Sequence, residues 1–484
     1  MAITRERLDR AFNPRTVAVI GAKKSAGYNW LLHMRGIRGK AYSVHTNPES
    51  ARDIAALGFE NYASILDIPD DIDYVIVCTP RAAAPQVLRE CIKKGVGGGG
   101  MFSSGFAETR EPEGVRLQQE IVRLAREADL PLIGPNCMGL YNPLAGVKFM
   151  PEQVVGPEVA GPVTFVSQSG GHGATFATAA VADGIGINKI ISFGNGATLE
   201  SADYLEYFAD DPGTKVIAMY IEGVRDGRRF FDILKRTTLR KPVVIWKGGQ
   251  TTAGQRATSS HTGSIAGSID IWDTVIRQAG AVRADNLEET VDAVKALLFL
   301  PPITGRGMAL IGGSGGQSVS VSDAFAKAGM DVPLFSEASY ARLREFFRLV
   351  GASYMNPIDV GGANQAQIET IVDIAINDSN IHMLAAQLSA GRRRSLNPQH
   401  AQDTESLLGV LKKTAARTRK PIVAMLVSAN VYSEGEGMGD LDRELREAGI
   451  RSFLTHERTA RALSKLTDYH RRRQERLGLA ESTA

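Results

Sequence analysis

Val163-Thr-Phe-Val-Ser-Gln-Ser-Gly-Gly171 is a short apolar run that passes directly into a turn of small polar residues and glycine. The chain repeats this arrangement at Thr16-Val-Ala-Val-Ile-Gly-Ala22 and at Met308-Ala-Leu-Ile-Gly-Gly-Ser-Gly-Gly316. A dense apolar run bounded by glycine is typical of a parallel strand buried on both faces, and residues with helical spacing follow each run. We therefore predict an α/β chain of three doubly wound domains in series.

Further apolar runs between these three starts predict additional strands, at Asp73–Cys78, Lys215–Tyr220, Pro242–Trp246 and Pro421–Leu426. Proline and glycine cluster twice between the units, over 142–162 and over 301–307, and such clusters are typical of junctions. The predicted domains span residues 1–145, 158–300 and 305–470, and a tail follows over 471–484.

The composition excludes several classes of protein. The net charge of the 484 residues is +3, which argues against nucleic acid as the main partner because phosphate binding leaves a basic footprint. The three cysteines form no CxxC pair, so we expect neither a disulfide framework nor a cysteine-rich metal site. No apolar run approaches the ~20 residues of a membrane span, and the charged N-terminus is unlike a secretory signal. We expect a cytoplasmic protein.

Four turns in the first domain stand where strands are predicted to end. They are Gly21–Gly27 with Lys23 and Lys24, Thr79-Pro80, Ser103-Ser104-Gly105-Phe106 and Gly134-Pro135-Asn136-Cys137. Ligands of open α/β sheets bind at the carboxyl ends of the strands, so these turns predict a cleft. The first turn lacks the GxGxxG fingerprint, which argues against a nicotinamide oxidoreductase, and its two lysines are compatible with phosphate binding or with simple solvation.

The second domain carries a candidate anion site and a candidate nucleophile. Ser167-Gln168-Ser169-Gly170-Gly171 opens a helix, so it predicts either an anion site or an ordinary N-cap. Arg256–Gly267 has the composition of a small-residue loop, and His261 lies within it. Imidazole attacks phosphorus when an acceptor holds its other nitrogen, and Glu222, at a predicted strand end, is a candidate for that acceptor.

The motifs together resemble the α subunit of the NDP-forming acyl-CoA synthetases, a group related to succinyl-CoA synthetase. The most specific segment is Ser259-Ser-His-Thr-Gly-Ser-Ile-Ala-Gly267, which is similar to the family's segment with the phosphorylated histidine. Other matches stand in the family's order, at 103–108, 134–139, 167–170, 192–195 and 356–359. The resemblance implies a Rossmann-like CoA-binding domain followed by two flavodoxin-like domains.

The resemblance also implies a reaction and the residues for it. Acyl-CoA, phosphate and ADP are converted reversibly into the acid, CoA and ATP through an acyl phosphate and a phosphohistidine. His261 would receive the phosphoryl group, Glu222 would orient its imidazole, and Ser167–Gly171 would bind phosphate. The residues expected to contact CoA are Gly21, Ala22, Lys23, Lys24, Thr79, Pro80, Ser103, Ser104 and Asn136.

The chain also departs from the family's pattern. The ATP-grasp domain of the fused members does not follow the third unit, so we expect an oligomer with a separate β subunit that holds ADP or ATP with Mg²⁺. His172 stands where the family commonly has a small residue, which is compatible with a role in substrate choice or with a surface position. A regulatory protein that binds CoA or acyl-CoA without turnover is the alternative function.

Overall fold

The computed structural model describes residues 3–261, 268–312, 315–346, 354–361, 363–393, 398–427 and 431–478. The chain divides into two compact units, residues 1–291 and 292–484. The first unit contains two sheets and the second unit contains one, and nearly all of the strand pairs in them are parallel. The α/β class with parallel sheets is confirmed, whereas the predicted domain boundaries stay predictions.

The first sheet of the first unit has the strand order of dinucleotide-binding folds. Its strands pair in parallel in the order β3-β2-β1-β4-β5-β6, so the direction of winding reverses between β1 and β4. The strands are β1 (Thr16–Ile20), β2 (Lys40–Val44), β3 (Glu60–Tyr62), β4 (Tyr74–Val77), β5 (Gly98–Met101) and β6 (Leu132–Ile133). The helices are α1 (Arg5–Phe12), α2 (Asn29–His33), α3 (Pro48–Ala56), α4 (Ala84–Lys94) and α5 (Pro112–Glu127).

The second sheet has flavodoxin-like order with one antiparallel edge strand. Its order is β12-β11-β10-β8-β9-β7, and only the β7–β9 pair among these is antiparallel. The strands are β7 (Gly139–Tyr141), β8 (Ala160–Ser167), β9 (Ile187–Ser192), β10 (Val216–Ile221), β11 (Val243–Lys247) and β12 (Val282–Ala284). The helices are α6 (Gly170–Ala182), α7 (Ser201–Asp210), α8 (Gly227–Thr237), α9 (Thr252–His261) and α10 (Ile269–Gln278), and α11 (Leu287–Phe299) contains the division between the two units.

An aromatic cluster joins the two sheets of the first unit. The ring of Phe12 at the end of α1 lies 5.0 Å from that of Tyr207 and 6.2 Å from that of Phe208, both on α7. The side-chain amide of Asn142, after β7, donates to the carbonyl of Phe12 at 2.8 Å. One apolar core therefore spans both sheets and holds their carboxyl edges in a fixed relation.

The second unit contains a parallel sheet in the order β13-β14-β15-β16. The segment around Ile358 forms a parallel bridge with Ile311 and so lies next to β13 at the edge of the sheet. With this segment included, the sheet has a flavodoxin-like strand order. The side chain of Asn356 fixes that segment, because it accepts from Leu310 N at 3.0 Å and donates to the carbonyl of Met308 at 2.7 Å. The strands are β13 (Met308–Ile311), β14 (Met383–Leu388), β15 (Ile422–Leu426) and β16 (Arg451–Leu454). The helices are α12 (Gly315–Lys327), α13 (Glu337–Phe346), α14 (Gln365–Asn377), α15 (Ala390–Arg393), α16 (Pro398–Ala415), α17 (Val431–Glu447) and α18 (His456–Arg476).

One prediction about local structure is wrong. The segment from Arg256 to His261 was expected to be a loop, but it forms the last turns of α9. The hydroxyl of Thr251 accepts from Gly254 N at 3.1 Å at the start of this helix, and alanine, glutamine and arginine favour helix in the following turns. Residues 262–267 lie outside the described part of the chain. Over the described residues, no helix combines the length and apolarity that a membrane span requires.

Candidate functional site

A cavity of about 690 Å³ lies in the first unit at the carboxyl edges of both sheets. The turns after β1, β4 and β5 form one side of it, and the start of α6 forms the other. Several of the predicted site residues line this cavity: Lys23, Thr79, Pro80, Ser103, Ser104, Asn136, Gln168, Ser169, Gly170 and Gly171. The structure thus brings most of the expected CoA residues and most of the expected phosphate residues to one cavity.

A close backbone approach shapes the side of the cavity near β1 and β4. Gly21 has a φ of +79°, and a Cβ at this position would lie 2.6 Å from Cγ2 of Thr79. The hydroxyl of Ser103 donates to the carbonyl of Thr79, which ties the turn after β5 to the turn after β4. These turns meet at the point where the strand order reverses, which is where open α/β sheets bind ligands.

Asn136 connects the first sheet to the second. It has a φ of +57°, and its backbone N–H donates to the carbonyl of Ser103 at 3.0 Å. Its side-chain amide donates to Oδ1 of Asn195 at 3.4 Å, and Asn195 in turn donates to the carboxylate of Glu108 at 2.6 Å. The turn is therefore held between the two sheets, which restricts its motion relative to the start of α6.

The predicted phosphate turn is a capped helix N-terminus whose glycines face the cavity. The Ser169 hydroxyl accepts from His172 N at 3.3 Å, and the Ser167 hydroxyl donates to the carbonyl of Ser169 at 2.7 Å. A side chain on Gly170 would collide with Met138, so only glycine fits against that neighbour. The first N–H groups of a helix lack internal partners and carry partial positive charge, so this end is suited to an anion.

Gln168 joins the phosphate turn to Glu222. Its side-chain oxygen accepts from the backbone N–H groups of Glu222 and Gly223, the latter at 3.0 Å. The hydroxyl of Tyr220 donates to Oε1 of Glu222 at 3.3 Å. Glu222 is only 4% exposed, and it lies after β10, beside the end of β8, at the reversal point of the second sheet. The carboxylate is consequently held in one position next to the candidate anion site.

His172 belongs to an aromatic group rather than to an open surface. The centroid of its ring lies 4.4 Å from that of Tyr220 and 4.4 Å from that of Trp246. Lys247, the next residue on β11, is fully buried, and its ammonium lies 5.5 Å from the ring centroid of Trp272. Burial lowers the pKa of Lys247, and the charge of Glu222 opposes that shift. The side chains of Lys247 and Glu222 thus interact electrostatically at the carboxyl ends of β11 and β10.

Some predicted residues lie outside the cavity wall. Gly21, Ala22 and Ser167 are not among the lining residues, and Lys24 forms ion pairs with Glu49 at 2.7 Å and with Asp53 at 2.9 Å. These two carboxylates raise the pKa of Lys24. The backbone of His261 ends α9, the helix after β11. The position of its side chain lies outside the described structure.

One group of lining residues was not predicted from the sequence. Trp30 and His33 on α2, Phe102 after β5, and Phe149 and Met150 before β8 all face the cavity. The pair Trp30 and His33 stands one turn apart on a short helix after the first glycine turn, and that spacing is the signal that could have identified it. Phe149 and Met150 lie in an irregular segment with no comparable pattern.

Two lining thiols are poorly suited to nucleophilic chemistry. Burial raises the pKa of Cys78 and of Cys137 to about 12, so both are neutral thiols at pH 7. Among the described residues, no group of three or more His, Cys, Asp or Glu side chains is arranged to hold a metal ion. The described part of the cavity offers backbone amides, hydroxyls, a lysine, an arginine and the imidazole of His33 for ligand binding.

Comparison with known proteins agrees with this geometry. A family described as a CoA binding domain matches residues 15–143, and one described as a succinyl-CoA ligase like flavodoxin domain matches residues 160–297. Acetate–CoA ligase [ADP-forming] I of Archaeoglobus fulgidus is 33% identical over 466 residues, which cover 96% of this chain and 64% of that protein. The alpha subunit of acetate–CoA ligase [ADP-forming] II of Pyrococcus furiosus is 33% identical over 462 residues, which cover 94% of this chain and 96% of that subunit.

A solved structure shows the same fold at similar length. The dinucleotide forming acetyl-coenzyme A synthetase 1 of Ca. Korarchaeum cryptofilum, in complex with phosphate and ADP, is 29% identical with a TM-score of 0.81, and the match covers 99% of each chain. Fold and cavity thus define a CoA-binding α/β chain of the succinyl-CoA ligase type. With the full-length match to the Pyrococcus subunit, the chain belongs to the family of the ADP-forming acetate–CoA ligase alpha subunits. The resemblance predicted from the motifs is confirmed.

Proposed function

We propose that this chain is the α subunit of an acid–CoA ligase that interconverts acyl-CoA, phosphate and NDP with carboxylic acid, CoA and NTP. The observation that carries the proposal is the shared cavity, in which Lys23, Thr79 and Ser103 face the N-terminus of α6 at Ser169 and Gly170. A CoA ester bound along the first sheet would bring its thioester to the anion site of the second sheet. Binding and chemistry would thus occur at the reversal points of two adjacent sheets.

The proposed reaction has three steps. An oxygen of phosphate attacks the thioester carbonyl carbon, the carbon–sulfur bond breaks, and CoA leaves as a thiolate that takes up a proton. A ring nitrogen of His261 then attacks the phosphorus of the acyl phosphate, and the acid leaves as a carboxylate. Finally, an oxygen of the NDP terminal phosphate takes the phosphoryl group from the histidine to form NTP. Such transfers depend mainly on positioning and on stabilisation of charge, which capped helix amides supply.

Glu222 is proposed to hold the imidazole of His261 during phosphoryl transfer. The carboxylate is buried and receives a hydrogen bond from Tyr220, while Gln168 binds the backbone N–H of Glu222 itself. A fixed carboxylate stabilises the imidazole with one nitrogen protonated, which leaves the other free to attack. The contact of Gln168 with both turns would keep the anion site and the carboxylate in register.

The nucleotide and Mg²⁺ are proposed to bind on a separate ATP-grasp β subunit. The support is the full-length match to chains that are named alpha subunits, and the larger Archaeoglobus relative, of which this chain spans 64%. The acyl group differs among relatives, because one is a 4-hydroxybutyrate–CoA ligase of Nitrosopumilus maritimus and another is a trans-feruloyl-CoA synthase. No one of these acyl groups is therefore assigned to this chain.

Incubation with CoA esters and radiolabelled phosphate tests the proposal. We expect an acid-labile, base-stable label on the protein that disappears in His261→Asn, while the affinity for free CoA is retained. His470→Asn, a substitution in the second unit, is the matched control and should keep the label. No label with any ester, despite CoA binding, would favour the alternative of a regulatory CoA-binding protein. Robust net ATP synthesis by the pure chain would contradict the need for a β subunit.

A further inference from the structure

We propose that Met138, Phe149, Met150 and His33 form the acyl-binding part of the cavity, and that it receives an apolar acyl group longer than acetyl with an oxygen that hydrogen-bonds to His33. This inference rests on the proposed function, because it assigns the substrate class of the same site.

The apolar wall adjoins the candidate phosphate site. Met138 packs directly on Gly170, and a Cβ on Gly173 would lie 3.5 Å from Cζ of Phe149. Both residues therefore flank the first turn of α6, where the attacking phosphate would bind. Because phosphate must reach the thioester carbonyl, the acyl group attached to that carbonyl has to lie within contact distance of this wall.

His33 is a polar group without a partner in an apolar setting. The residue is 6% exposed, it lines the cavity, and neither ring nitrogen has a hydrogen-bond partner. Trp30 also lines the cavity, and the centroid of its ring lies 5.6 Å from that of His33. A buried polar group that lacks a partner is unfavourable, so an unpartnered imidazole on a cavity wall gains stability from a hydrogen bond to a bound ligand.

The protonation state of His33 favours a neutral ligand oxygen. Burial, and secondarily the charge of Lys148, lower the pKa of His33 to about 4, so the imidazole is neutral at pH 7. A neutral imidazole donates one hydrogen bond and accepts one, which suits a hydroxyl or a carbonyl group. The charges of Lys148 and Glu152 both affect the pKa of His33, and these two residues flank Phe149 and Met150 in the sequence. The segment 148–152 therefore lies beside His33 and also contributes apolar side chains to the cavity.

The remaining wall selects for length. Phenyl and thioether side chains contribute apolar contact, and methionine adapts to ligands of different shape. Phe149, Met150 and His33 line the same cavity, and an acyl group larger than acetyl has more apolar surface with which to contact them. The wall thus favours a hydroxyacyl or similarly oxygenated group over a simple acetyl group.

Calorimetric binding of CoA and its esters to the full chain tests the inference without turnover. The ligands are free CoA, acetyl-CoA, and two pairs, butanoyl-CoA with 3-hydroxybutanoyl-CoA and benzoyl-CoA with 4-hydroxybenzoyl-CoA. We expect at least one oxygenated ester to bind about tenfold more tightly than its unsubstituted partner, the effect of one satisfied buried hydrogen bond. In His33→Phe this preference should vanish while free CoA binds as before.

Two further variants keep the test decisive. Phe149→Leu should weaken the four-carbon and aromatic esters more than acetyl-CoA, and it does not depend on the folding of His33→Phe. His470→Phe removes another histidine whose pKa is lowered to about 4 by burial, but in the second unit, and it should change no ester affinity. Equal affinities within both pairs, or a preference that survives His33→Phe, would overturn the inference. Failure of the wild-type chain to bind CoA at all would instead overturn the proposed function.

Discussion

Replacement of Gln168 by leucine is expected to destabilise the first unit by about 2 to 6 kcal/mol. The Gln168 side chain is 6% exposed, and its oxygen accepts from two buried backbone N–H groups, those of Glu222 and Gly223. Leucine has a similar size but accepts no hydrogen bond, so both donors lose their partner. Each buried donor left unpaired costs about 1 to 3 kcal/mol, and the two together give the expected range.

Tryptophan fluorescence during urea unfolding measures this effect selectively. The three tryptophans of the chain, Trp30, Trp246 and Trp272, all lie in the first unit. The matched control is Gln86→Leu, which removes a solvent-exposed hydrogen bond to Glu90 within α4 of the same unit and should change the free energy of unfolding by less than about 1 kcal/mol. A change below about 1 kcal/mol in Gln168→Leu would refute the argument that this side chain joins the two turns.

Three further predictions concern the cavity. Gly21→Ala should weaken CoA binding at least about tenfold, because the Cβ of the new alanine would collide with Thr79. The control is Gly58→Ala, at a φ of +88° with open space around it, which should cause only backbone strain and leave CoA binding unchanged. Calorimetry measures the CoA affinity of both variants. His33 has a lowered pKa, so its unfolded state binds protons more readily, and the free energy of unfolding should fall by up to about 3 kcal/mol between pH 6.5 and 4. Removing the imidazole should flatten that slope, and an unchanged slope would contradict the assignment. Glu222→Gln should slow protein phosphorylation about a hundredfold with CoA binding retained, and an unchanged labelling rate would exclude an orienting role.

The parallel strands and their turns could be predicted because both signals are local. β1 has the predicted bounds Thr16–Ile20, and β13 the predicted bounds Met308–Ile311. Glu222 follows β10 directly, as the sequence indicated. A buried parallel strand needs apolar residues on both faces, so its sequence carries the signal without any tertiary context.

Other features depend on tertiary contacts and left no local pattern. The isolated position of Ile358 beside β13 is fixed by hydrogen bonds from the side chain of Asn356, although this stretch was recognised only as a family match. Lys24 was predicted with Lys23 among the residues that contact CoA; Lys23 lines the cavity, whereas Lys24 pairs with carboxylates on α3, which are distant in sequence. The helical state of Arg256–His261 was missed because small polar residues have weak intrinsic preferences.

The relation between the two sheets of the first unit decides what the cavity can do. Each sheet has a reversal point at its carboxyl edge, and the proposed function assigns one to the CoA ester and the other to phosphate. Chemistry between the two ligands requires that these points face each other at a constant distance. The aromatic cluster of Phe12 with Tyr207, together with the Asn136–Asn195 contact, supplies that rigidity. Since a displacement of about 1 Å is enough to impair such a reaction, substitutions in this remote cluster should reduce turnover more than they reduce the binding of either ligand.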